Sequence, residues 1–270
     1  MNRKCLILFF LCVLFLSGCR KPDESVQIDW VLKQENAVIL SDGTSVDIWS
    51  REPFTQWDYY RLKDGTGLLT VEETVSPLYV SVGYMTLQDL PEEAQEAICD
   101  YYEDQGLLYD IPATLEKACA EYRSSKETGA VFTGYRLYQQ SSPCSFGEQV
   151  VCFVTVLEEP LRGNLGTTTQ LCACFDRETG APVSIWDLFT VPEDDVRQRL
   201  VSAFAEDDQT SAQMAAALKP EYIALEEDCL SIFFPAGSLP DQEYATGTAI
   251  DYTEIRDIMF DWAIPEDLTP

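Results

Sequence analysis

The chain has 270 residues, with 46 Asp+Glu against 18 Lys+Arg, no histidine, and 46% hydrophobic residues. So acidic a chain is a poor nucleic-acid binder, because that affinity rests on Lys and Arg neutralising phosphates. The missing histidine excludes Ser-His-Asp and Cys-His catalysis and zinc sites built on imidazole, while the apolar share allows a packed core in one large domain or two small ones.

Arg3 and Lys4 precede an unbroken apolar run from Cys5 to Leu16. A bilayer-spanning helix needs about 20 apolar residues, so this run has the length and flanks of a secretory leader instead. Leu16-Ser17-Gly18-Cys19 resembles a bacterial lipobox, which implies cleavage after Gly18 and a diacylglycerol on the Cys19 sulfur. Two acyl chains suffice for stable anchoring. The expectation is a signal peptide over 1–18, a lipidated tether over 19–25, and a body on the outer face of the cytoplasmic membrane of a Gram-positive type of cell. Loss of residues 1–18 removes Arg3 and Lys4 and no acid, so the remaining chain carries 16 Lys+Arg against 46 Asp+Glu, a net charge of −30. Such a body is repelled by anionic lipid. It suits a cationic partner, although charge of this kind also serves solubility alone.

Residues 26–76 read as β-hairpins, with Asp42-Gly43 and Asp64-Gly65 each set between apolar runs as tight primed turns. Trp49, Trp57 and Tyr59 can stack on sugar rings or join the core, and the core is the commoner use. Pro77–Met85 reads as a further strand. A helix is expected from Pro91 to Gly106, with acids in its first turn, and a second from Ala113 to Gly129, with Thr114 as N-cap. The period then returns to two, giving strands within 129–140, 148–159 and 167–180; the last two form an antiparallel hairpin across Pro160–Gly166. Pro192 opens a helix whose Val196, Leu200 and Phe204 recur four apart. Another helix spans Thr210–Leu218, and the chain closes with strands at 229–235 and 245–252 and a short helix at 253–262. The predicted class is α+β, a mainly antiparallel sheet with a helical hairpin and further short helices packed on it.

Seven cysteines follow Cys19, an odd number that leaves at least one unpaired in an oxidising compartment. Cys172 and Cys174 share one strand face and lie near Cys152 in the hairpin register, so a Cys152 bridge to either is the preferred pairing. If the two helices form an antiparallel hairpin, Cys99 and Cys119 could face each other, a second and less favoured candidate bridge. Buried thiols used as small hydrophobes are the alternative.

Two stretches in the second half carry a resemblance. Phe175–Phe189, FDRETGAPVSIWDLF, and Ser231–Ile255, with Phe234-Pro235 before its loop, resemble a bacterial domain of unknown function found in the extracytoplasmic part of RsiV-type anti-sigma factors, which act as lysozyme receptors, and beside some polysaccharide deacetylases. The resemblance covers roughly Pro77 to Ile258, within a domain expected over 77–270. It marks Thr179, Gly180, Asp187, Leu188, Phe189, Phe234 and Pro235, which also read as structural: a turn closed by glycine, apolar plugs, and an Asp187 that bonds local backbone amides. A histidine common just before the family's Thr-Gly strand is missing here. The expected function is a non-catalytic binding or sensing lipoprotein without cofactor or metal, its partner a cationic protein such as lysozyme or a cell-wall ligand. The alternatives are a carboxylate-based hydrolase of cell-wall glycans and a calcium-stabilised module using acids such as Glu193, Asp194, Asp195 and Asp207.

Overall fold

Period-two alternation gives the molecule more strand than helix, and a computed structural model describes it over residues 31–52, 57–74, 81–82, 85–158, 168–205 and 207–265. The leader, Cys19, the tether and the 159–167 connection lie outside the described residues.

Strands β1 (Val31–Ile39), β2 (Ser45–Glu52), β3 (Trp57–Leu62) and β4 (Gly67–Thr74) lie side by side in chain order. Both Asp-Gly pairs turn the chain as expected, but not as primed turns. Within each pair only the glycine has positive φ, 83° at Gly43 and 86° at Gly65. Gly43 N–H donates to Leu40 O and Leu40 N–H to Thr44 O, the pattern of a type I turn closed by a glycine bulge. Asp42 and Asp64 accept from the backbone amides two residues on, at 2.9 and 3.0 Å. Their side chains therefore favour the turn that leaves aspartate at negative φ.

The strand expected over Pro77–Met85 is broken where it is described: β5 (Ser81–Val82) and β6 (Met85–Thr86) pair antiparallel, so the chain reverses between them. The rest of that stretch lies outside the described residues. Helix α1 (Glu92–Gln105) runs from Pro91 to Gly106. Helix α2 (Ile111–Thr128) starts two residues earlier than expected, because Asp110 and not Thr114 is its N-cap, accepting from Ala113 N–H at 2.9 Å.

Strands β7 (Tyr135–Phe146), β8 (Val150–Glu158), β9 (Thr168–Asp176) and β10 (Pro182–Val183) complete an eight-stranded sheet of order β1-β2-β3-β4-β7-β8-β9-β10. Its other determined pairings are antiparallel, but β4 and β7 run parallel, from Leu69 opposite Tyr135 to Thr74 opposite Gln140. Strands from both sides of residue 77 thus share one sheet, and 32–270 form one compact unit.

Both long helices cover the same sheet face at different strands. Leu115, Ala118 and Cys119 of α2 pack with Val46, Tyr60, Leu69, Val71 and Leu137. Ile98 and Tyr102 of α1 pack with Val151, Phe153 and Phe175. Gln139, buried between the two groups, accepts from Leu108 N–H at 2.9 Å and donates to Gly106 O at 2.8 Å, pinning the link between the helices. The helices therefore do not close on each other as a hairpin.

On the opposite face, Val150, Cys152 and Cys174 meet a small antiparallel sheet of β11 (Ile223–Leu225), β12 (Cys229–Phe234) and β13 (Thr246–Asp251). Helices α3 (Glu193–Ser202), α4 (Asp208–Ala217) and α5 (Tyr252–Ile255) complete this layer. Val196 and Leu200 are fully buried at their expected spacing, and Phe204 packs against the same cluster.

Candidate functional site

The β3 strand presents Tyr60 to the α2 core, so its alternate residues Trp57 and Tyr59 stand on the other sheet face. Both are half-buried, with near-parallel rings 6.4 Å apart between centroids. Trp49, also half-buried, faces Tyr59 across the β2–β3 pair. Trp57 and Tyr59 thus form a side-by-side pair outside the core, contrary to the commoner use.

Two guanidinium groups border the pair. Arg136 lies 5.6 Å from the Trp57 ring centre and Arg61 lies 5.4 Å from that of Tyr59, a spacing at which cation–π attraction operates. Arg136 is fixed by an ion pair with Glu72, the residue opposite Trp57 in the β3–β4 register. Trp57, Tyr59, Thr70 and Arg136 help line a cavity of about 400 Å³ on this face. Flat rings flanked by guanidinium donors suit a ligand with both apolar faces and hydroxyls.

The motif residues serve the frame. Asp176 closes the β9–β10 turn by accepting from the Thr179 hydroxyl and amide, each at 2.8 Å, and from Glu178 N–H at 3.1 Å. The same bonds, led by the Thr179 hydroxyl, hold its carboxyl below the ordinary carboxylate range. Asp187 is exposed and its carboxylate makes no hydrogen bond among the described residues, so Asp176 has the role expected of Asp187. Leu188, Phe189 and Phe234 are buried, Pro235 half-buried and Thr179 exposed.

Because the folded pKa of Asp176 lies below the unfolded value, its stabilisation is complete above about pH 4 and drains away as pH falls through the folded value. Asp176→Ala is expected to lower stability by about 1 kcal/mol at neutral pH. Chemical denaturation repeated down the pH scale checks this: the gap from the unaltered protein should narrow below pH 4, and a constant gap contradicts the assignment.

The acids weighed as a calcium set lie at helix starts. Glu193, Asp194 and Asp195 form the first turn of α3, and Asp207 caps α4 by accepting from Thr210 N–H at 2.7 Å. There they meet the positive end of each helix. Among the described residues no group of three or more Cys, Asp or Glu side chains is arranged to hold a metal ion.

Cys99 and Cys119 pack into different apolar groups, because their helices lie over different strands. Cys152 stands directly opposite Cys174, with Cys172 opposite Val154, so these three share the face the register requires. Cys144 joins them, which the spacing did not reveal. It is the extra residue of a bulge between Pro143, opposite Phe153, and Ser145, opposite Cys152, and it packs against the same cluster. The described cysteines are all free thiols.

No protein-family model and no curated protein matches the chain. Among solved structures it is similar to a DUF3298 family member from Bacteroides fragilis, at 10% identity over 87% of this chain and 94% of that one, with a TM-score of 0.45. It is also similar to a DUF3298 family protein from Pseudomonas aeruginosa, at 16% identity over 54% of this chain and 71% of that one, with a TM-score of 0.35.

Proposed function

We propose that the protein is a binding module of the cell envelope, held to the membrane through lipid on Cys19, that works by contact and takes a cell-wall glycan on its Trp57–Tyr59 face. The observation that carries this reading is the near-parallel aromatic pair, outside the core and bordered by Arg61 and Arg136. Pyranose rings present apolar C–H faces of matching size, and their hydroxyls accept from guanidinium N–H groups. With soluble peptidoglycan oligosaccharides as probe, Trp57→Ala should weaken binding about tenfold in calorimetric titration, a loss ordinary for a central aromatic anchor. Binding that survives Trp57→Ala and Tyr59→Ala together at full strength defeats the glycan reading.

A cationic protein such as lysozyme is a second reading, favoured by the excess of 46 acids over 18 bases and by the resemblance to lysozyme receptors. Charge of one sign speeds encounter with a partner of the other. Lysozyme immobilised at moderate salt should then retain the protein, and passage without retention rules this partner out.

A further inference from the structure

We propose that Cys144, Cys152, Cys172 and Cys174 form a thiol–disulfide exchange site, with Cys172 as attacking sulfur and Cys152 as resolving sulfur, for small cationic disulfides. The four side chains lie on one face of three adjoining strands, gathered there by the register and by the Cys144 bulge. Cys172 stands amid the other three: Cys174 is two residues along its own strand, Val154 opposite it is two residues from Cys152, and Cys144 packs against the same cluster from β7. Cys172 is half-buried, whereas Cys152 and Cys174 are buried. Of its three neighbours, Cys174 shares its strand and Cys144 lies two strands away, which leaves Cys152, diagonal to it on the adjoining strand, to resolve the adduct.

Hydrogen bonds with Cys144, and then with Cys152 and Cys174, hold the Cys172 thiol well below the ordinary thiol range. The other three are pushed well above it, Cys152 chiefly by burial, Cys144 and Cys174 chiefly by hydrogen bonds within the cluster. A thiol lowered beside thiols that are raised is the ordering that exchange draws on. A cavity of about 570 Å³ adjoins the cluster: its lining includes Cys144, together with Val154 and Gln170, which neighbour Cys172 in the register, and it also carries Glu226, Glu227 and Asp228. These acids favour cationic over anionic molecules.

The Cys172 thiolate attacks one sulfur of R–S–S–R, forming Cys172–S–S–R and expelling RS⁻. Cys152, passing its proton to that thiolate, attacks the Cys172 sulfur and displaces the second RS⁻, which takes a proton from water. Two protein thiols are oxidised to one disulfide, and the small disulfide is reduced to two thiols.

The test uses the reduced full-length chain with chelator present, cystamine as the cationic probe and dithiodiglycolate as the anionic one. Peptide mapping should place the first adduct on Cys172 and the final bridge at Cys152–Cys172, and Cys152→Ser should stop at the adduct. At low salt cystamine should react at least about tenfold faster than dithiodiglycolate, and neutralising these acids with E226Q, E227Q and D228N should erase that advantage. A first adduct on Cys99, Cys119 or Cys229, or an unchanged rate in Cys172→Ser, overturns the site. Equal rates for the two probes overturn the acidic route. The mapping needs no substituted protein, so a variant that fails to fold does not blunt the test.

Discussion

Replacing Phe175 with alanine is expected to cost about 3–5 kcal/mol of folding stability. Phe175 is wholly buried, and its ring meets Phe153 edge-on at 5.7 Å and Tyr101 edge-on at 5.0 Å between centroids. Truncation removes the ring that both others meet and leaves a cavity between α1 and β8–β9. Urea denaturation followed by circular dichroism reads the loss directly, and a change below about 1 kcal/mol would mean that α1 draws its stability from elsewhere.

Gly180→Ala should be nearly as damaging, through the opposite mechanism. Gly180 sits at φ +70°, where any side chain is strained, and a Cβ there would lie 2.6 Å from Ala94 O and 2.9 Å from both Ala94 Cα and Ala97 Cβ. These obstacles belong to the α1 backbone and a methyl fixed on it, so relief requires the helix to move. Strain at positive φ and overpacking together are expected to cost about 2–4 kcal/mol. The same denaturation series checks this, with Gly237→Ala as comparison: φ there is +76° with nothing within 4 Å, so only the conformational part should appear. Equal losses at the two glycines would remove the helix contact from the explanation.

What sequence could foretell was whatever local chemistry decides. Asp-Gly pairs marked both hairpins, Pro91 and Gly106 bounded α1, and the spacing of Val196 and Leu200 marked the buried side of α3. Non-local choices were not legible. Nothing in the local period of β4 or β7 announces that they run parallel, and β11 is only three residues long. The fourth thiol of the cluster did leave a trace: Pro143 inside the alternating run 135–146 signals a bulge, where proline's missing N–H is tolerated, and a bulge re-aims its extra residue. For the aromatic face the residues were legible and their side of the sheet was not, because that depends on which face α2 covers.

The parallel join between β4 and β7 also dictates an order of assembly. Every residue from Val75 to Gly134 must be made before the outer edge of the first four strands meets its neighbour. A chain emerging amino end first therefore carries an open strand edge for some sixty residues of synthesis, a state in which strands readily recruit the wrong partner. Maturation should accordingly be slow for a molecule of this size, and guarded by whatever holds unfinished chains apart until Tyr135–Gln140 arrives.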